Sequence, residues 1–190
     1  MKEKRIIGTI GNNDGYITCS MYVAQKRYAD SLIVPYTTFE EAAQHLKREI
    51  IDSILVPAAY PNLRDFIMDS ELLANSVFLE RTPPLVCVCK DKETKLETIT
   101  HVFLHPATRK LVSELGIDNE KVSLTYVNSN IDACLRLLNN PSNSCLSITN
   151  LKCAEYYKLW VIKELRSDVM MPWVSFIKMP SGEVTLKEND

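Results

Sequence analysis

Short apolar runs alternate along this chain with stretches in which apolar residues recur every three or four positions. The first pattern predicts buried strands, the second amphipathic helices. Strands are expected from Arg5 to Ile10, Ser31 to Pro35, Ile54 to Val56, Val77 to Glu80, Leu85 to Cys89, Thr100 to Leu104, Val122 to Val127, Cys145 to Ile148, Trp160 to Leu165 and Val174 to Lys178. Helical spacing fills Cys19 to Tyr28, Thr38 to Lys47 or Glu49, Pro106 to about Leu115, Ile131 to Leu138 and Asn150 to Tyr157. Thr38 ahead of Glu40-Glu41 is a hydroxyl cap with acids in the first turn. Pro106 suits a first helical turn. Asn128, Ser129 or Asn130 caps the helix that follows. Asn12 to Tyr16 and Lys90 to Lys95 read as polar turns, and the polar chain beyond Pro180 as a loose tail.

Strand and helix alternating at this pitch predict an α/β fold with mainly parallel sheet. The character of the chain changes near Asn75, and Pro83-Pro84 is the best candidate for a crossing between two lobes. Ligands in such folds lie off the carboxyl ends of the strands. Gly11 to Ser20, Pro57 to Tyr60, His105 and Asn128 to Asn130 all follow expected strands, which makes them the candidate pocket loops.

The 190 residues allow one unit or two lobes of about 90 residues. An apolar fraction of 46% supplies a core, and a net charge of −2 offers no field to hold nucleic acid or an anionic membrane. No apolar run reaches the ~20 residues of a membrane span, and no export signal is visible. The expected location is the cytoplasm. Cys19, Cys87, Cys89, Cys134, Cys145 and Cys153 sit mostly among apolar neighbours, without a CxxC pair or a nearby His. They read as reduced, buried thiols and not as metal ligands.

The strong catalytic motifs are missing: no phosphate loop, no GxGxxG, no GxSxG and no HExxH occurs. No cofactor is therefore expected. His45 reads as a surface residue in mid-helix. His105, between a strand end and a helix start, is either a ligand contact or a local cap. Thr18-Cys19-Ser20 and Asn128-Ser129-Asn130 each precede an apolar helix. A helix N-terminus offers unpaired N–H groups and about half a positive charge, which suits a carboxylate; plain capping is the competing reading. Trp173 either lines a cleft or fills the core.

The order and spacing of "TFEEAAQHL", "SILVPAAYPNLRDFIMDSEL", "ERTPPLVCV", "FLHPATRKLVSEL", "YVNSNIDACLRLL" and "MPWVSFIK" resemble the prephenate dehydratase domain. The likeness is greater to the bacilysin-pathway prephenate decarboxylases that share its fold, and it runs roughly from Thr9 to Lys178. It implies a two-lobed, type II periplasmic-binding-protein-like architecture with a ligand cleft. Lobe one would hold residues 1–84 and 157–190, and lobe two residues 85–156. It also implies a substrate-binding set of Thr18, Cys19, Ser20, Pro57, Ala58, Ala59, Ser129, Asn130 and Trp173. His105, Tyr60 and Ser175 would be the groups able to move or block a proton.

The chain departs from the dehydratase pattern. The family's Gly-Pro-Glu-Gly-Thr loop reads Gly11-Asn12-Asn13-Asp14-Gly15-Tyr16-Ile17-Thr18, its Ser-Thr pair reads Ser129-Asn130, and its Thr-Arg-Phe motif is replaced by Trp173-Val174-Ser175-Phe176. Ala58 stands where the decarboxylases have a histidine. The expectation is a cofactor-free, metal-free lyase of specialised metabolism, such as antibiotic biosynthesis. It would take a small carboxylate, prephenate or a related ring, and release carbon dioxide without aromatising it. A binding module for a small acid or aromatic amino acid, or a different dehydration, ring-opening or condensation step on the same scaffold, are the alternatives. Dimers occur among such folds, so a homodimer is also expected, with no interface legible.

Overall fold

The computed structural model describes residues 4–118 and 120–180; the tail expected beyond Pro180 lies outside them. In chain order the elements are β1 (Ile6–Ile10), α1 (Cys19–Arg27), β2 (Leu32–Tyr36), α2 (Phe39–Lys47), β3 (Ser53–Pro57), α3 (Leu63–Ile67), β4 (Leu72–Arg81), β5 (Leu85–Cys89), β6 (His101–Leu104), β7 (Ser123–Tyr126), α4 (Asn130–Asn139), β8 (Cys145–Asn150), α5 (Leu151–Tyr156), β9 (Trp160–Arg166) and β10 (Met170–Lys178). Two 3-10 helices, Leu96–Thr98 and Pro106–Glu114, flank β6.

The chain forms two compact units. The first takes the described residues up to Asn13, Ala24–Glu80 and the described residues from Met171; the second takes the described residues of Asp14–Val23 and Arg81–Met170. These divisions differ from the boundaries expected from sequence. Residues 157–170 join the second unit because β9 pairs with β5, Val161 opposite Val88 and Trp160 opposite Cys89. An apolar pattern announces a strand but not the sheet it enters.

The first unit is built on a five-stranded sheet of order β2-β1-β3-β10-β4. β1 runs parallel to β2 and β3, and β10 runs antiparallel to β3. Phe39, Ala42, Ala43 and Leu46 form the apolar face of α2 and pack with Ile54, Val56, Phe66, Val174 and Phe176. Thr38 caps α2 as expected, accepting the Glu41 N–H at 3.1 Å. Gly8 is required by close approach: a Cβ there would stand 2.6 Å from Ile51 Cδ1 and 2.9 Å from the Tyr36 ring. β4 is longer than Val77 to Glu80. Its early residues Ala74 and Asn75 are exposed at the sheet edge, so they carry no apolar alternation to read.

The second unit holds a sheet of order β7-β6-β8-β5-β9. β6 is parallel to β7 and β8, whereas β5 is antiparallel to β8 and β9. Both sheets are thus mixed: β5 runs against β8 and β9, and β10 runs against β3. All six residues of β8 are buried, with one core between the sheet and α4 and α5 and another beneath the 3-10 helix 106–114. That segment was expected to be an ordinary helix. As a 3-10 helix it stacks residues three apart, and Thr108 with Leu111, and Val112 with Leu115, turn inward.

Candidate functional site

In the second unit, parallel pairing carries the ends of β6, β7 and β8 to one sheet edge. Leu104 pairs with both Tyr126 and Ile148. His105, Asn128 to Asn130 and Asn150 follow at that edge, where ligands of α/β sheets collect.

Asn150 ties the start of α1 to this edge. It is fully buried, and its Oδ1 accepts the Cys153 N–H at 3.0 Å, capping α5. Its Nδ2 donates to the Ile17 carbonyl at 3.0 Å. Ile17 sits in the core with Val127 and Ile131, and the Tyr157 hydroxyl donates to Asp14 at 3.1 Å. These contacts explain why Asp14–Val23 belongs to the second unit. Thr149 continues the network, accepting from Cys134 at 3.3 Å and donating to the Asn130 carbonyl at 3.0 Å.

The two helix starts singled out in the sequence meet here. Thr18 accepts the Met21 N–H at 3.0 Å and caps α1; Ser129 accepts the Asp132 N–H at 3.0 Å and caps α4. The Asn130 amide lies 3.5 Å from the Cys19 sulfur. Electrostatically the two starts differ. The first turn of α1 has no acidic residue, whereas that of α4 carries Asp132, which partly neutralises its dipole and is paired with Arg136 at 3.4 Å. The start of α1 is therefore the more electropositive of the two. Cys19 is half-buried, Thr18 and Ser20 buried. Burial pushes the Cys19 thiol up to about 11, so it stays protonated at neutral pH. Its neighbour Cys153 is held far above the ordinary thiol range by a hydrogen bond with Cys134 and by burial.

His105 caps the 3-10 helix, its Nδ1 accepting the Ala107 N–H at 3.2 Å. Burial lowers its pKa and keeps the imidazole neutral. The other histidines are tied inside their units: His101 to Thr125 at 2.8 Å, and His45 to the Tyr36 hydroxyl at 2.9 Å. The latter makes His45 half-buried, where a surface residue was expected.

The remaining candidates lie in the first unit. β3 ends on Pro57, and Tyr60 N–H donates back to the Pro57 carbonyl at 3.0 Å, with Ala58 and Ala59 exposed between them. The Tyr60 ring packs edge-on against Phe39 and beside Phe66, while its hydroxyl donates to Glu40 at 2.6 Å. Burial, then the Glu40 carboxylate, push the phenol up to about 12. Trp173 pairs with Pro57 and Ser175 with Leu55, and both are buried in β10. The Trp173 indole N–H has no partner among the described residues.

Sequence reasoning placed Asn150 only at the start of a helix and missed the tie it makes. Its signal was there: an amide directly after a buried strand and ahead of a helix, as in Asn128-Ser129-Asn130. Among the described residues no group of three or more His, Cys, Asp or Glu side chains could hold a metal ion, and no helix is long and apolar enough to cross a membrane.

No family model matches the chain. A curated relative, the prephenate decarboxylase of Planktothrix agardhii (strain NIVA-CYA 126/8), is 29% identical over 181 residues, which is 91% of this chain and 88% of the relative. Among solved structures, the prephenate dehydratase of Arthrobacter aurescens in complex with L-Phe superposes over 93% of this chain with a TM-score of 0.68 at 18% identity. The fold is that of the prephenate dehydratases. The match spans 61% of that dehydratase's length. The same architecture occurs in a periplasmic substrate-binding protein of an ABC transporter from Coxiella burnetii, with a TM-score of 0.53 at 13% identity over 92% of this chain and 84% of that one. The expected type II periplasmic-binding-protein-like architecture is therefore the observed one.

Proposed function

We propose that this protein is a lyase acting on prephenate or a related cyclic carboxylate, and that it removes carbon dioxide while keeping the ring hydroxyl. The observation that carries this reading is the similarity to a prephenate decarboxylase along nearly the whole of both chains. The start of α1 supports it. It is a helix N-terminus without an acid in its first turn, edged by the Cys19 thiol and the Asn130 amide. In this reading Thr18, Cys19, Ser20 and Asn130 hold a substrate carboxylate, Ser129 keeps α4 in place beside them, and His105 is the group that handles a proton.

The chemistry asks little of the protein. The bond from the ring carbon to its carboxylate breaks, and the electron pair enters the adjacent ring double bond. Carbon dioxide leaves, and a proton from water or a neutral donor reaches the distal carbon of that system. Fixed donors steady the developing charge, and orientation holds the breaking bond in line with the ring π system. Aromatisation would need an acid at the ring hydroxyl to release it as water. The Cys19 thiol at this edge, at about 11, is too weak for that task at neutral pH.

The test is incubation of purified protein with prephenate, followed by ultraviolet spectra and mass analysis. A product lighter by carbon dioxide alone supports the proposal. Phenylpyruvate, which has lost water as well, would make the protein a dehydratase. Binding without turnover would favour the second reading, a small-acid binding module.

A further inference from the structure

The four sheet edges are not protected alike. β2 is five residues long and contains Pro35, β7 has only four residues, and β9 carries Lys163, Glu164 and Arg166. Shortness, proline and charge are the devices by which natural sheets refuse a further strand. β4 has none of them over most of its length. It runs for ten residues with no Pro or Lys, and its only charges are Glu80 and Arg81 at the far end. Val77 and Leu79 are 67% and 64% exposed, on the same face as Leu73 and Asn75. Among the described residues, β4 has a neighbour on one side only, β10.

We propose that this edge is where a second copy of the chain docks, antiparallel, so that two five-stranded sheets become one across a two-fold axis. A two-fold needs a self-complementary strand, and the charges here supply the complementarity. With the axis at Ser76, Leu73 faces Leu79, Asn75 faces Val77, and Glu71 faces Arg81, each pair occurring twice. With the axis moved to Val77, Arg81 would face Leu73 and Glu71 would have no partner. Glu71 and Arg81 keep 60% and 57% of their side chains exposed while bound to Lys47 and Asp168, so each would extend an existing ion pair across the axis. Glu80 is held at 2.7 Å by Lys26 on the other face and takes no part.

The experiment is sedimentation equilibrium of the full chain from low micromolar to near-millimolar concentration. The expected parent is a dimer, and Val77→Lys with Leu79→Lys a monomer, because four ammonium groups would meet at the axis. Leu135→Lys with Leu138→Lys, on an exposed face of α4, is the control that stays dimeric. Register is read by charge exchange. Glu71→Arg alone and Arg81→Glu alone should each weaken the dimer several-fold, and the two combined should restore it. A monomeric parent overturns the proposal, as does a lysine double variant that still dimerises. If that variant fails to fold, the charge exchange and hydrogen exchange decide. Amide protection of residues 72–80 in the parent must rise with concentration, and protection independent of concentration also refutes docking by a second copy.

Discussion

Replacing Asn150 with Ala should be among the most damaging single changes in the second unit. The substitution removes the cap of α5, which costs about 1 kcal/mol. It also strips the Ile17 carbonyl of its amide donor and leaves only the Cys153 thiol at 3.4 Å. An under-satisfied buried carbonyl costs about 1–3 kcal/mol. The sum, about 2–4 kcal/mol, corresponds to a fall in Tm of order 10 °C for a chain of this size. Asn150→Asp separates the two contributions, since a carboxylate can still accept the Cys153 N–H but cannot donate to Ile17. Burial would raise the pKa of such an Asp above its ordinary ~3.9. A raised acid is harmless below its unfolded pKa and increasingly costly as pH rises toward its folded one. The Asp variant should therefore approach the parent in acid and fall away from it toward neutrality. Thermal unfolding by circular dichroism, with hydrogen exchange of residues 14–23, is the assay. An Ala variant that melts within a degree of the parent, or unchanged exchange across 14–23, would refute the claim that this amide fastens the start of α1.

Prephenate at ~100 times its Kd should stabilise the parent by about 2.7 kcal/mol. Thr18→Val should cut that ligand-induced shift more than Ser129→Ala does, because Asp132 makes the start of α4 the poorer anion site; equal losses would place the carboxylate on both helices. The Tyr60 hydroxyl holds the Glu40 carboxyl below its usual range, so this contact adds stability above the unfolded Glu pKa and loses it as pH falls through the folded one. Tyr60→Phe should accordingly be less stable than the parent at neutral pH and converge on it as pH falls through the lowered folded value of Glu40, and the parent should show a tyrosine that ionises only near 12 in a spectrophotometric titration. Gly8→Ala should cost about 1–3 kcal/mol by overpacking against Ile51 and the Tyr36 ring in denaturant unfolding. Gly15→Ala, with open space around it but a φ of +94°, should cost only the ~1 kcal/mol of left-handed strain.

Where one face of an element is buried, the sequence announced it. Thr38 capped its helix, and β1 and β5 fell within a residue or so of their apolar runs. Elements at an edge were harder to read. β4 was seen only at its Val-Phe-Leu end, because exposed Asn75 looks like a break when nothing packs against it. Which sheet a strand joins depends on partners far away in sequence, and this is why residues 157–170 were placed with the wrong unit. The candidate site divided along the same line. Helix starts are local, and Thr18 and Ser129 behaved as caps. The approach of Cys19 to Asn130 spans 111 positions, and the tie from Asn150 to Ile17 spans 133. No local pattern encodes either contact. The resemblance of the loops to a known family supplied the architecture that periodicity alone left open.

The strand order of the first sheet bears on how the chain acquires its shape during synthesis. β10 lies between β3 and β4, yet it is made after everything else in either sheet. On the ribosome, where chain emerges from the N-terminus onward, Arg81–Met170 and the earlier Asp14–Val23 are all available before Val174 and Phe176 reach the core of the first unit. The second unit can close while the first still has a gap in its sheet, with β3 and β4 unpaired on the sides that will receive β10. During that interval β4 presents two open edges and an apolar stretch, the condition in which a strand is captured by a neighbouring nascent chain. A slow elongation step anywhere between residue 81 and residue 178 would prolong that interval, and a chaperone at the exit port would shield β4 through it; both would bear directly on the yield of correctly assembled protein.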